Sequence, residues 1–431
     1  MLKKLKIIPI LILTVALLSL FAYSVKVVNE GPNEMGLYGS FVYRISNFPS
    51  KVFEVIESKE VRGVPPTFIK KDSNHVEVDR LKKPLYLLNS YWNRTEKNWE
   101  FRLTEEKSDS LVHTWTGIKE VFVNSDEPLS TCEPRSPLIT KDQGLIYFND
   151  ETKNLFRIDR NSNMLWKNDS FVYHHTLNYD SDSSHVFVCA TQRAHLFDAI
   201  KNEISYEYRD ELIVSVDIQT GNIASVKSIS DILKKNYTSL LFASSDNKHP
   251  SDDPIHLNDI QPVVSDGDYM KENDLWISCR NKSIVFQYIP STDSIIRVIQ
   301  GPFINQHDID IQNDSTITLF NNNVISQKKK HLSEFPGKQM QTLGHSNITQ
   351  YNLSTKQYST LLKSSLENLN LQSDFQGLHE ILSSGRKIVE LQTPGVVVCF
   401  DENDQLILYK TFKLILKNIF SVRTGLEYMI K

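Results

Sequence analysis

Three histidines occupy matching places in a recurring local pattern: His175 heads His-Thr-Leu-Asn-Tyr-Asp, His256 heads His-Leu-Asn-Asp-Ile-Gln, and His307 heads His-Asp-Ile-Asp-Ile-Gln. A neutral imidazole can attack as a nucleophile or exchange a proton near pH 7, so imidazoles converging on one point would make a group-transfer site. Two further side chains belong to the same segments. Asn258 lies two positions after His256, on the same side of a strand if side chains alternate, and Arg280 ends the run Leu275-Trp-Ile-Ser-Cys. Arginine supplies planar, multidentate donors, and amide and imidazole N–H groups add more. His175, His256, Asn258, Arg280 and His307, with no carboxylate pair among them, therefore suit an anionic group bearing several oxygens. Taken singly, each has a plainer reading: a histidine as a cap or packing residue, Arg280 as a surface ion-pair partner, Asn258 as a turn residue. Recurrence in register favours the site.

Convergence needs a scaffold. Behind each histidine comes a short apolar run, Val186-Phe-Val-Cys, Leu275-Trp-Ile-Ser and Ile317-Thr-Leu-Phe, the period-two signal of a half-buried strand. From 175 to 256 is 81 positions and from 256 to 307 is 51, so one unit is about 50 residues, with insertions expected near 199–209 and 232–254. Four strands per unit, as in Ser136-Pro-Leu-Ile, Gly144-Leu-Ile-Tyr-Phe, Asn154-Leu-Phe-Arg-Ile and Met164-Leu-Trp-Lys, predict an all-β, six-bladed β-propeller. A β-sandwich would need fewer, less regular repeats. In a propeller each inner strand starts at the rim of a central channel, where the histidines would meet. Tryptophans such as Trp99, Trp115, Trp166 and Trp276 read as packing between blades, and Phe420-Ser-Val-Arg-Thr is expected to complete the first blade and latch the ring.

The 431 residues, 40% hydrophobic and 23% charged, are those of a globular protein. A net charge of -4 excludes the clustered positive excess that nucleic-acid binding requires. The four cysteines, Cys132, Cys189, Cys279 and Cys399, have neither disulfide-scaffold nor zinc spacing, so no metal is expected. At the amino terminus Lys3, Lys4 and Lys6 precede an apolar stretch over 7–25, expected to act as a signal anchor or a cleaved signal peptide. Residues 1–25 would be that membrane segment, 26–80 a partly ordered connector, and 81–431 the propeller. The propeller would lie on the non-cytoplasmic side of a membrane, or be exported to the periplasm.

The order Leu111-Val-His-Thr-Trp, His174-His175, His256-x-Asn258, Ile277-Ser-Cys-Arg280, Gln306-His307-Asp308 and Gln376-Gly377 over about residues 84–415 resembles the arylsulfotransferases that work without a nucleotide sulfate donor. The resemblance implies a six-bladed propeller, without a cofactor, that moves a sulfuryl group from an aryl sulfate ester onto a channel histidine and then to a phenolic acceptor. By motif, His307 would be the nucleophile, His256, Asn258 and Arg280 would hold the sulfuryl oxygens, and His175 would assist proton transfer, with His174 as the alternative match. Gln376 is a further candidate for substrate contact, although with Gly377 it also reads as a turn into the last inner strand. Asn and Ser stand where the family's turns carry glycine, at Asn313 and Ser183, and the chain has only 15 Gly. The rival readings are a non-catalytic propeller binding a protein partner or anionic ligand at the channel rim, and a metal-dependent sulfatase.

Overall fold

A computed structural model describes residues 13–25, 78–118 (without 94 and 97), 134–198, 203–242, 253–328, 338–392 and 394–411. The chain divides into two compact units, residues 1–64 with 329–337, and residues 65–328 with 338–431. In the first, residues 13–25 form a helix whose leucines, Leu13, Leu17, Leu18 and Leu20, are exposed. Among the described residues no helix is long and apolar enough to cross a membrane, so the expected membrane-spanning segment is not borne out there.

The second unit contains six antiparallel blades. Their strands are Tyr86–Asn93, Asn98–Glu105 and Ser110–Thr116 in the first, and Pro134–Ile139, Leu145–Asn149, Leu155–Ile158 and Met164–Asn168 in the second. The third comprises Val172–Tyr179, His185–Asp198, Glu203–Asp217 and Ile223–Ser228, and the fourth Leu257–Pro262, Leu275–Cys279, Ile284–Ile289 and Ser294–Ile299. The fifth comprises His307–Asn313, Thr316–Asn321, Asn347–Asn352 and Gln357–Leu361, with a side hairpin of Val324–Lys328 and Lys338–Thr342. Leu378–Ile381, Lys387–Leu391, Val396–Phe400 and Leu406–Thr411 make the sixth.

Val78–Asp79 pairs with the outer edge of this last blade as a fifth strand, although the sequence placed it in the connector. The chain then passes directly into the first blade, where Leu85 and Leu87 pack with Leu382, Ile388 and Cys399 and the carbonyl of Pro84 accepts a hydrogen bond from Arg386. Phe420–Thr424, the expected latch, lies outside the described residues. The first expected insertion is the extension of a hairpin, Asp198 pairing with Glu203, and the second begins as a helix, Ile229–Phe242.

Many strands are buried on both faces rather than half-buried, as in Leu145–Asn149, Leu275–Cys279 and Thr316–Asn321. The reason is radial packing. Leu145 and Tyr147 face a core shared with the first blade, Ile146 and Phe148 one shared with the third. Each strand thus reads as a continuous apolar run rather than an alternation. Six such cores, one between each pair of successive blades, account for the buried hydrophobic clusters among the described residues. Trp115, Trp166 and Trp276 each sit in one of them, as packing residues.

The inner strands are also stapled to one another. Asp259, 2% exposed, accepts from Thr176 Oγ1 at 2.9 Å and Asn178 Nδ2 at 3.1 Å in the third blade, and from the Ile309 backbone N–H at 2.8 Å in the fifth. Leu87→Ala should open a cavity at the seam between last and first blades and cost roughly 2–5 kcal/mol. Thermal denaturation checks this; an unchanged melting temperature would mean that the seam contributes nothing to closure.

Candidate active site at the channel rim

The heads of the inner strands do not follow regular alternation. Ser136, His175, His256, Asp308 and Gln376 all have φ between 45° and 61°, in the left-handed region. The strand registers slip beside the first four, between Arg135 and Leu138, at Cys189, between Leu257 and Asp259, and between His307 and Ile309. Each bulge adds one residue, or two in the third blade, and re-aims its neighbours towards the axis. Asn258 therefore reaches the site through a bulge and not, as expected, by alternating from His256.

The bulges bring the imidazoles together. The ring of His175 lies 4.9 Å from that of His174, 4.9 Å from that of His256 and 6.1 Å from that of His307, centroid to centroid. A cavity of about 40 Å³ is lined by Arg135, His175, Asn258, His307, Gln376 and Glu390, among others. At about 10–15 Å³ for one water-sized sphere, it has room for about three. His174 is fully buried behind His175 and is not on the cavity wall, so the structure separates the two halves of the doublet.

His307 is 4% exposed, and its Nδ1 is 2.6 Å from Asn322 Oδ1. Asn322 Nδ2 donates to the carbonyls of Ser373 at 2.9 Å and Gln376 at 2.7 Å. Both of its partners being acceptors, the amide can sit only one way, and its oxygen must accept from His307 Nδ1–H. The lone pair of His307 is then on Nε2. Burial, and next the positive charge of Arg280, hold the basicity of His307 well below that of an ordinary histidine.

Arg280 opens a one-turn 3-10 helix, Arg280–Lys282, fastened to the loop ahead of the fourth blade: its backbone N–H donates to the carbonyl of His256 at 3.0 Å. Its Nη1 donates to Asn281 Oδ1 at 3.1 Å, while its buried Nε has no hydrogen-bond partner among the described residues. His256 Nδ1 is 2.5 Å from Asp253 Oδ2. Burial would raise the Asp253 carboxyl, but the hydrogen bond from His256 and its charge win and keep it lowered. Asn258 Nδ2 donates to the carbonyl of Gln306 at 2.6 Å, and its Oδ1, also buried, has no hydrogen-bond partner among the described residues.

No carboxylate pair stands among the five residues expected from the sequence, but the structure brings carboxylates up behind them. Besides Asp253, Glu211 Oε2 lies 2.8 Å from His174 Nε2, both side chains fully buried, and Arg209 Nε lies 3.1 Å from the other oxygen of Glu211. Arg209 in turn forms a two-pronged pair with Glu151 at 3.0 Å each. Burial alone would lower the basicity of His174, yet the Glu211 carboxylate raises it above the ordinary value. His175 goes the other way: burial first, then the charges of His174, His256, His307 and Arg135, push it well down.

Asp308, Asp310 and His379 bring one ligand atom each within 4.8 Å of one another, a geometry a cation could use. Both ring nitrogens of His379 are, however, already engaged, Nδ1 by Asp308 at 2.9 Å and Nε2 by Thr318 Oγ1 at 2.7 Å. Arg135, Asn322, Glu211, Asp253 and Glu390 were missed in the sequence. Asp253 carried a signal, three residues ahead of His256. The others had none, being remote in the chain from the residues they touch.

The chain matches the profile of the Arylsulfotransferase (ASST) family over residues 138–413, more than half its length, and belongs to that family. No curated protein matches it. Among solved structures it is similar to a protein of unknown function from Bacteroides caccae (12% identity, TM-score 0.48, covering 78% of this chain and 97% of that one). It is also similar to the hydrazine synthase of Kuenenia stuttgartiensis (10%, 0.40, 78% and 80%) and to a chain of the nidogen/laminin complex (7%, 0.42, 76% and 93%).

A titration should separate the rings. With folded values well below about 6.5, His175 and His307 should stay neutral as the pH falls from 7.5 to 6, while His174, raised by Glu211, should still be protonated above 6.5. For stability, the unfolded chain takes up protons that folded His175 and His307 refuse, so their contribution is lost as pH drops below about 6.5, whereas that of His174 is complete there and lost on raising pH. Nitrogen-15 histidine spectra read both; three ordinary titrations near 6.5 would refute the assignment.

Proposed function

We propose that this propeller is an aryl sulfotransferase in which His307 Nε2 takes a sulfuryl group from an aryl sulfate ester and hands it to a phenolic acceptor. The observation that carries the reading is the fixed tautomer of His307: Asn322 occupies Nδ1–H and leaves Nε2 with its lone pair, with the His175 ring 6.1 Å away and the charges of Arg280 and His256 acting on it. A ring held neutral by burial and by Arg280 is a nucleophile throughout the neutral range.

Sulfuryl transfer resembles phosphoryl transfer in its loose, trigonal transition state with charge on three peripheral oxygens, so positioning and electrostatics do most of the catalysis. Arg280, whose buried Nε–H has no hydrogen-bond partner among the described residues and whose backbone is tied to His256, is suited to that charge, together with His256 and Asn258. Arg135, Gln376 and Glu390 on the cavity wall would contact the aryl groups or the acceptor. The small cavity fits the transferred group better than a whole aryl ester, whose ring would remain towards the rim. His175, at the centre of the cluster, faces the oxygen that leaves and later attacks. The basic and apolar amino terminus supports a location outside the cytoplasm.

His307→Ala should abolish transfer from 4-nitrophenyl sulfate to phenol and leave the melting curve intact, and wild type quenched with donor alone should carry the added sulfuryl mass on the His307 peptide. Loss of a single oxygen donor, as in Arg280→Gln, should slow turnover by roughly 10²–10³. Full turnover by His307→Ala would refute the mechanism, and wild type that binds aryl sulfates without turning them over would favour a non-catalytic binder. Undiminished turnover in EDTA is expected; loss would favour the metal-dependent alternative.

A further inference from the structure

Building on the sulfuryl-transfer reading, we infer that His174 and Glu211 form a buried proton relay behind His175, making His175 a reversible acid and base that never has to carry charge itself. His174 Nδ1 and His175 Nδ1 are 2.6 Å apart. Between two ring nitrogens at that distance there is room for one proton, so whichever ring donates, the other must present its lone pair. The opposite nitrogen of His174 meets Glu211 at 2.8 Å, off the N–H axis, as an ion contact.

The surroundings make a relay necessary. His256, His307 and Arg135 face His175, with Asp253 on the far side of His256, so a cation on His175 itself is disfavoured. A lone imidazole there would have no proton to give. His174 stands opposite Cys189 in the neighbouring strand, a buried thiol that burial keeps protonated, and faces Glu211, with Arg209 and Glu151 behind that carboxylate. The positive charge thus has its place one ring deeper, against Glu211.

The proton inventory closes over the two half-reactions. At the start His174 is an imidazolium whose Nδ1–H donates to His175 Nδ1, and neutral His175 carries its proton on Nε2. As the His307 Nε2 lone pair forms the N–S bond, the S–O bond breaks with its electron pair on the aryl oxygen. That oxygen takes the Nε2 proton of His175, and His175 Nδ1 takes the Nδ1 proton of His174. His174 is left neutral, with its remaining proton on Nε2 towards Glu211. In the second half the acceptor's O–H gives its proton to His175 Nε2 while its oxygen bonds to sulfur. The N–S electron pair returns to His307, and the proton on His175 Nδ1 returns to His174. Glu211 and His174 are positioning residues: neither touches substrate.

Leaving-group dependence tests this. Nitrophenolate leaves without protonation, whereas phenolate needs it. Glu211→Gln should therefore cost about 100-fold on phenyl sulfate and under about 10-fold on 4-nitrophenyl sulfate, within the span of general acid catalysis. Its acid-form plateau on phenyl sulfate should also end at lower pH than in wild type. Equal losses on both esters would overturn the relay and leave Glu211 a structural residue. Nitrogen-15 histidine spectra of the wild-type protein provide a reading that does not depend on a variant folding. They should show His174 protonated at both nitrogens and His175 at Nε2 alone at pH 6. A His174 lacking its Nδ1 proton together with a His175 lacking its Nε2 proton would overturn the relay even with activity intact. If wild type transfers from neither ester, the sulfuryl-transfer reading fails, and the same spectra still decide whether the proton pair exists.

Discussion

Everything at the rim depends on a backbone conformation that most residues avoid. Ser136, His175, His256, Asp308 and Gln376 are held at positive φ where the inner strands begin, each at a cost of about 1–3 kcal/mol. Regular strands would send alternate side chains into the two flanking cores, and a histidine there would be buried in hydrocarbon. The extra residue of each bulge breaks that alternation and turns polar side chains towards the axis. The inter-blade cores and the carboxylate of Asp259, which ties three blades together, supply the stability against which this strain is held.

Crowding basic groups also decides their charge. With the rings of His256 and His307 at 4.9 and 6.1 Å from His175, the three imidazoles cannot all be protonated, and Arg280 and Arg135 add permanent positive charge. The outcome is neutral rings at His175 and His307 and a cationic preference one layer back, where Glu211 balances His174 and Arg209. The same strand does both, since it keeps His174 in the ladder opposite Cys189 and turns His175 out of it at the bulge.

Part of this was legible in the chain. The repeat of His175, His256 and His307 at strand heads, the Arg280 that follows the fourth blade's second strand, and the six-unit period all follow from local pattern. Asn258 was found for the wrong reason, because a bulge leaves no mark in a single sequence. His174 was taken as a substitute for His175, since adjacent residues look equivalent until burial separates them. Asn322, which settles the tautomer of His307, lies 15 residues further on, in a turn that reads as an ordinary polar loop.

By itself the sequence determined the all-β repeat and the residue types available for chemistry, because these rest on short-range periodicity and local pattern, and the order of its motifs carried the family resemblance. Only the tertiary structure decided which tautomer His307 holds, which histidine is buried against a carboxylate, and which arginine lines the cavity. Those outcomes depend on hydrogen bonds and charges between residues tens of positions apart, whose meeting is fixed by the closure of the ring.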